Sequence, residues 1–187
     1  MPNFNPALLL LAAASPQAAA NAHPETAAKV RCEVALSHAK DVLTEYRDRQ
    51  LVFGVGDPDL FDAARSGWWT DGSERPTPAP PPPPDLEARL YAEGNTGAVE
   101  HCRTVRNLLD SRGLLFGKRA ARSVRSENRR GNYGSAVVHI SLPVVSEDGR
   151  QAILAFSHSG AGASLLLLQR EGEGRWRAVA RRPLSVY

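Results

Sequence analysis

Between residues 133 and 186 apolar and polar residues alternate in short runs broken by Gly, Asp and Ser, and this period of two constrains the chain more than any other feature. It predicts an antiparallel meander of four strands: Gly134 to Val145, Arg150 to Ser157, Ser164 to Gln169 and Arg175 to Val186. In the first, Ala136, Val138, Ile140 and Leu142 make an apolar face opposite Val137, His139 and Ser141. Pro143 lacks an amide donor and belongs at a strand end or an edge. Ser146-Glu147-Asp148-Gly149 supplies a tight turn, after which Ala152, Leu154 and Phe156 continue the apolar face. Leu165 to Leu168 is apolar on both sides, as in a central strand covered by helices. Trp176 is expected to point inward between outward-facing Arg175 and Arg177.

Upstream, the periodicity is helical. Ala7 to Ala14 is an apolar run too short for a bilayer, which takes about 20 helical residues. Pro16 follows, then small-x-small sites at Ala18-Ala19-Ala20 and Ala20-Asn21-Ala22. This is the layout of a secretory signal peptide over residues 1–22, although residues 1–6 carry no Lys or Arg. An alanine-rich, frayed N-terminal helix is the alternative. Export implies a periplasmic or secreted protein with no transmembrane segment after cleavage. Residues 23–187 are then one domain, a size that suits a single core.

Export also changes how the two cysteines are read. In an oxidising compartment an even count without metal-like spacing favours a disulfide between Cys32 and Cys102. Each lies on the apolar stripe of a predicted helix: Cys32 with Ala35, Leu36, Ala39, Val42 and Leu43, and Cys102 with Val99, Val105 and Leu109. Two reduced core cysteines are the alternative. The first helix is predicted from Pro24 to about Tyr46. A short helix opens at Asp57-Pro58, Asp85 caps a third, and a longer one runs from Gly97 to Ser111.

Seven of the nine residues from Pro76 to Pro84 are proline, an exposed polyproline insertion between two helices. Trp68 and Trp69, just before it, are expected to cover one edge of the core. Arg103 to Arg130 holds nine basic residues against Asp110 and Glu127, a local excess of +7 in a chain of net charge +3. Lys118, Arg119, Arg122 and Arg125 recur at helical spacing as one charged face. Such a face suits solvent, or phosphates and anionic lipid. No aromatic residues are interleaved with it and no nucleic-acid motif is present, so nucleic acid is not an expected partner.

The Ser-Glu-Asp-Gly-Arg-Gln-Ala turn and strand (residues 146–152) is followed by Ser157-His158-Ser159, a leucine-rich strand and Gly174-Arg175-Trp176-Arg177. Together these resemble the C-terminal meander of a family of uncharacterised exported bacterial proteins, similar in turn to cone-shaped NTF2-like or cystatin-like α+β folds. The resemblance covers residues 133–187 and implies an α+β fold, with the N-terminal helices packed on one face of the four-stranded sheet. Its motifs are turn and core chemistry and speak to fold more than to function.

For function, the loop Ser157, His158, Ser159, Gly160 and Gly162 gathers hydroxyls, an imidazole and backbone amides, with His139 on a neighbouring strand. A Ser–His pair needs a third group to orient it, and no carboxylate is identifiable in that role. Hence no catalytic residue is assigned; Ser157, His158, Ser159 and His139 stand as candidate ligand-binding residues. The five histidines show no paired spacing and no phosphate loop is present, so neither a metal nor a cofactor is implied. The expected function is a non-catalytic envelope module binding a small ligand or another envelope protein. The alternative is an NTF2-like hydrolase or isomerase with a cavity lined by His139, His158 and Ser157.

Overall fold

Pro24 opens the first helix, α1 (Pro24–Glu45), where a missing amide donor costs nothing and Glu25 meets the positive end of the helix dipole. In the computed structural model residues 24–55, 68–93, 96–131, 134–160, 162–172 and 174–185 are described. The expected signal peptide, His23 and the short helix at Asp57-Pro58 lie outside them. Strand β1 (Gln50–Phe53) follows α1 directly. Helix α2 (Pro84–Glu93) again begins on proline, so Asp85 sits inside its first turn rather than at the cap position expected for it. The single helix expected over Gly97 to Ser111 is two, α3 (Ala98–His101) and α4 (Arg103–Ser111), because Cys102 between them is extended at φ −106°, ψ 100°. Arg106 repairs the break: its Nη1 donates to the carbonyl oxygens of Val99 and Glu100 at 2.9 and 2.7 Å. The basic run forms α5 (Lys118–Arg129).

The remaining strands are β2 (Ser135–Ile140), β3 (Val144–Val145), β4 (Gln151–His158), β5 (Gly162–Glu171) and β6 (Arg175–Ser185). All belong to one mixed, six-stranded sheet in the order β1-β2-β4-β5-β6, with β3 paired to β4. Two expectations need correction. The four antiparallel strands are joined by β1, which lies parallel to β2, and Pro143 splits β3 from β2. The helices, moreover, cover both faces. Leu51, Ala136, Val138, Leu154, Phe156, Leu166, Leu168 and Trp176 pack against Val34, Ala35, Ala39 and Val42 of α1 and Val105 and Leu109 of α4. On the opposite face Ile153, Ala155, Leu165 and Leu167 meet Leu86 and Leu90 of α2, and Val52 and Val137 meet Ala121 and Val124 of α5. Period-two alternation with apolar residues at both parities leaves neither face able to stay wet.

Between Leu167 and Leu168 the β5–β6 register slips, so that Ala180 pairs with Leu167 and Ala178 with Leu168. Val179 is the extra residue, and beyond it the faces of β6 exchange. Trp176 therefore serves the α1 layer, while Ala180 and Leu184 serve the α2 layer. Arg181 is opposite Leu166 and Arg182 opposite Leu165. Arg182, almost wholly buried, donates to Glu87 Oε1 at 2.5 Å, with its guanidinium 5.3 Å from the centre of the Trp69 ring. The tryptophan pair is thus divided: Trp69 belongs to the core, whereas Trp68 is 88% exposed. The proline-rich run is mainly exposed, as expected, yet it is fastened at its start: Ala79 N donates to Trp69 O at 2.9 Å and Pro82 is buried.

Cys32 and Cys102 are bridged with their Cα atoms 5.3 Å apart, joining α1 to the α3–α4 break. The bridge spans a separation of 70 residues. Replacing both cysteines by alanine should lower the unfolding free energy by roughly 4 kcal/mol on loop entropy alone. Urea denaturation of the oxidised, reduced and double-alanine proteins would measure this, and reduction should cost about as much as the substitution.

Candidate functional site

Each candidate from the Ser-His-Ser segment is fixed by the β2–β4 pairing. His139 is directly opposite Ser157, so their side chains share the α5-side face of the sheet, while His158 is on the other. The His158 ring stacks on Tyr46 at the end of α1, with centroids 4.5 Å apart and planes at 20°. Its pKa is lowered, by burial first and then by Arg49. His139, Ser157 and His158 therefore do not line one cavity; a sheet lies between them. His139 Nε2 is 3.0 Å from Arg125 Nη2 of α5. A guanidinium can only donate, so this nitrogen accepts and carries no proton, which withdraws it from general-base chemistry toward Ser157. Ser159 has a structural role, since its Oγ accepts from Val137 N at 2.9 Å and its own N donates to Val137 O at 2.9 Å. With Gly160 at φ +96° and Gly162 at φ +84°, the segment closes the β4–β5 hairpin through conformations open to glycine. Ser159 and Gly160 also border a polar cleft of about 340 Å³ with Arg49, Asn128 and Ser135.

A different cleft, of about 310 Å³, opens between the C-terminal half of α1 and β4–β6. From α1 it takes His38, Asp41, Val42 and Glu45, and from the turn that follows it Tyr46, positions separated by three and four residues and therefore on one side. Phe156, Leu166, Ala178 and Ala180 supply an apolar floor and wall, and Arg181, Asp71 and Gly72 complete the rim. The loop carrying Asp71 is tied to β6 by reciprocal backbone bonds: Thr70 N to Arg181 O at 2.9 Å, and Arg181 N to Thr70 O at 2.8 Å. Asp71 accepts from Ser73 N and Oγ and from Thr77 N and Oγ1, at 2.7 to 3.2 Å. These bonds, led by Thr77, hold its carboxyl well below the ordinary range.

At the bottom of this cleft His38 is 7% exposed, edge-on to Phe156 with ring centroids 5.1 Å apart. Burial lowers its pKa to about 4, so it is neutral at pH 7, and its Nε2 is buried with no hydrogen-bond partner among the described residues. Asp41 is pushed up by burial, a shift that Arg175 opposes and Glu45 reinforces. Tyr46 is likewise raised, by burial and then by the Glu45 carboxylate. The arrangement suits holding a compact, partly apolar molecule, and among the described residues lining it no nucleophile–base pair is formed.

None of these cleft residues is among the candidates read from the sequence; Tyr46, stacked on His158, is where the two regions meet. Their spacing on α1 was visible in the sequence, but β6 brings Arg181 to the cleft only through its bulge. Among the described residues no group of three or more His, Cys, Asp or Glu is placed to hold a metal. The basic face of α5 is exposed at Arg119, Arg122 and Arg129, with Ala121 and Val124 turned inward. No protein-family model, no curated protein and no solved structure matches the chain.

Two outcomes test this geometry. A Cβ at Gly54 would lie 2.1 Å from His139 Cε1. Gly54→Ala should therefore destabilise the protein by roughly 1–3 kcal/mol through overpacking, read by urea denaturation, and should perturb the His139 ring signals in NMR spectra. His38 sets a pH dependence. Its folded pKa is depressed, so the unfolded chain binds more protons below pH 6.5, and stability falls as pH drops from 6.5 toward 4. The loss attributable to this one side chain is of order 3 kcal/mol. In His38→Phe that part of the slope should disappear, leaving a smaller one of the same sign from His158.

Proposed function

We propose that this protein is an exported, non-catalytic domain that binds a small ligand in the cleft between α1 and β4–β6, on an NTF2-like or cystatin-like frame. The observation that carries the reading is the cleft itself: about 310 Å³, with an apolar floor, a few convergent polar groups and a buried histidine whose Nε2 has no hydrogen-bond partner among the described residues. The frame is supported by a long N-terminal helix laid across an antiparallel array of strands. Export is supported by the Cys32–Cys102 bridge, which belongs to an oxidising compartment, and by the leader pattern of residues 1–22. No helix among the described residues is long and apolar enough to cross a membrane. A non-catalytic role is favoured over an NTF2-like enzyme because His139, Ser157 and His158 are divided by the sheet and His139 Nε2 is engaged by Arg125.

Amide-resolved NMR of the isotope-labelled domain, screened against a library of small neutral and charged compounds, tests this. Shifts should concentrate at residues 38–46, 71–72 and 178–181. Ala178 is exposed at the cleft wall, so Ala178→Phe should fill the space without disturbing the core and weaken every such interaction about tenfold or more. Hits confined to other surfaces, or indifferent to Ala178→Phe, would reject the cleft as the binding site.

A further inference from the structure

Given the ligand-binding reading above, we propose that the cleft selects a small organic cation, an ammonium group carried on a compact apolar body. Its lining is unequal in charge. Three carboxylates, Asp41, Glu45 and Asp71, face one guanidinium, Arg181. Among the described residues none of the four has an ion-pair partner within 4.0 Å, so no direct ion pair there offsets the negative excess. Arg181 is partly committed, its Nε donating to Ser164 Oγ at 2.8 Å.

The three carboxylates have different parts to play. Four donors already engage Asp71, three at Oδ1 and one at Oδ2, so its charge serves the cleft chiefly as a field. Asp41 and Glu45 stand one helical turn apart on α1; Glu45 accepts from the Tyr46 hydroxyl, which leaves both carboxylates with lone pairs able to receive N–H bonds. Partial burial strips some solvent from Asp41, and a bound cation would replace that lost solvation.

An independent observation points the same way. His38, more than nine-tenths buried, lines the cleft and has no partner for Nε2 among the described residues. A buried ring nitrogen without a partner is costly to the fold, and in the tautomer with its proton on Nδ1 the bare Nε2 accepts. An ammonium offers several N–H donors and no acceptor, so one such group can serve His38 and a rim carboxylate together. Phe156, Leu166 and Val42 then receive the apolar body. An anion would meet the carboxylates, and a neutral alcohol would bring fewer donors and no charge.

The test uses matched probes on the isotope-labelled domain: benzylamine, benzyl alcohol, benzoate and phenylglycine, followed by shifts of the residue 38–46 and 178–181 amides. Benzylamine should bind about tenfold more tightly than benzyl alcohol, with benzoate weakest and phenylglycine between, and raised salt should shrink the benzylamine preference. Asp41→Asn and Glu45→Gln, both at exposed positions, should weaken benzylamine several-fold and leave benzyl alcohol unchanged. If benzyl alcohol or benzoate binds the cleft as tightly as benzylamine, or if phenylglycine binds best, the cation assignment is overturned while the cleft remains a binding site. If none of the four moves the cleft amides, the assignment and the binding reading fall together.

Discussion

Leu165, Leu166, Leu167 and Leu168 put large aliphatic side chains on both sides of β5, and the architecture follows from that. Burying a leucine is worth roughly 1.5–3 kcal/mol, so neither face tolerates water. One face receives α1 and α4, held together by Cys32–Cys102. The other receives α2 and α5, which pack on separate patches. The disulfide joins elements of the first layer only, yet the chain between its two cysteines includes β1 and α2. Part of the cover of the second face is thus strung within the loop that the bridge closes, and closing the bridge restricts both layers at once.

The bulge at Val179 decides how β6 serves two layers. An uninterrupted strand would put Trp176, Ala178, Ala180 and Arg182 on one face. The extra residue turns Arg182 toward Glu87 and Trp69, where a buried guanidinium finds a carboxylate and an aromatic ring, and turns Arg181 to the cleft and Ser164. A structural arginine and a rim arginine, adjacent in sequence, owe their different surroundings to one unpaired residue.

The parts legible in the sequence were those governed by a single local period. The α1 stripe, the strands from Ser135 onward, the inward Trp176, and Leu86 and Leu90 on one side of α2 could all be read from spacing. The pairing of Cys32 with Cys102 was legible from parity of count and from stripe position. Strand β1 was not. Leu51-Val52-Phe53 is too short to show a period, and it became a strand because a parallel neighbour, β2, was available to accept it. The second helical layer was obscured for a related reason: the leucine run required cover on both faces without saying which helix would provide it. Ser157-His158-Ser159 is a chemically rich triplet, but strand geometry sends adjacent side chains to opposite faces, so Ser157 and His158 are not brought together.

Why a cleft exists at all is a matter of volume along β6. At one end the indole of Trp176 fills the space under α1, and Ser37 Oγ donates to Trp176 O at 3.2 Å, setting the distance between helix and strand. Two residues on, the wall falls to the methyl group of Ala178, and beyond the bulge the Ala180 side chain turns to the α2 layer. A core at crystal-like density cannot leave that difference empty without forfeiting contacts, and the space is too large to be closed by small adjustments of packed neighbours. Filling it with leucine would have been the ordinary solution. The chain instead presents Ala178 on the strand and His38, Asp41 and Glu45 on the helix, which gives up packing and keeps polar groups beside an apolar floor.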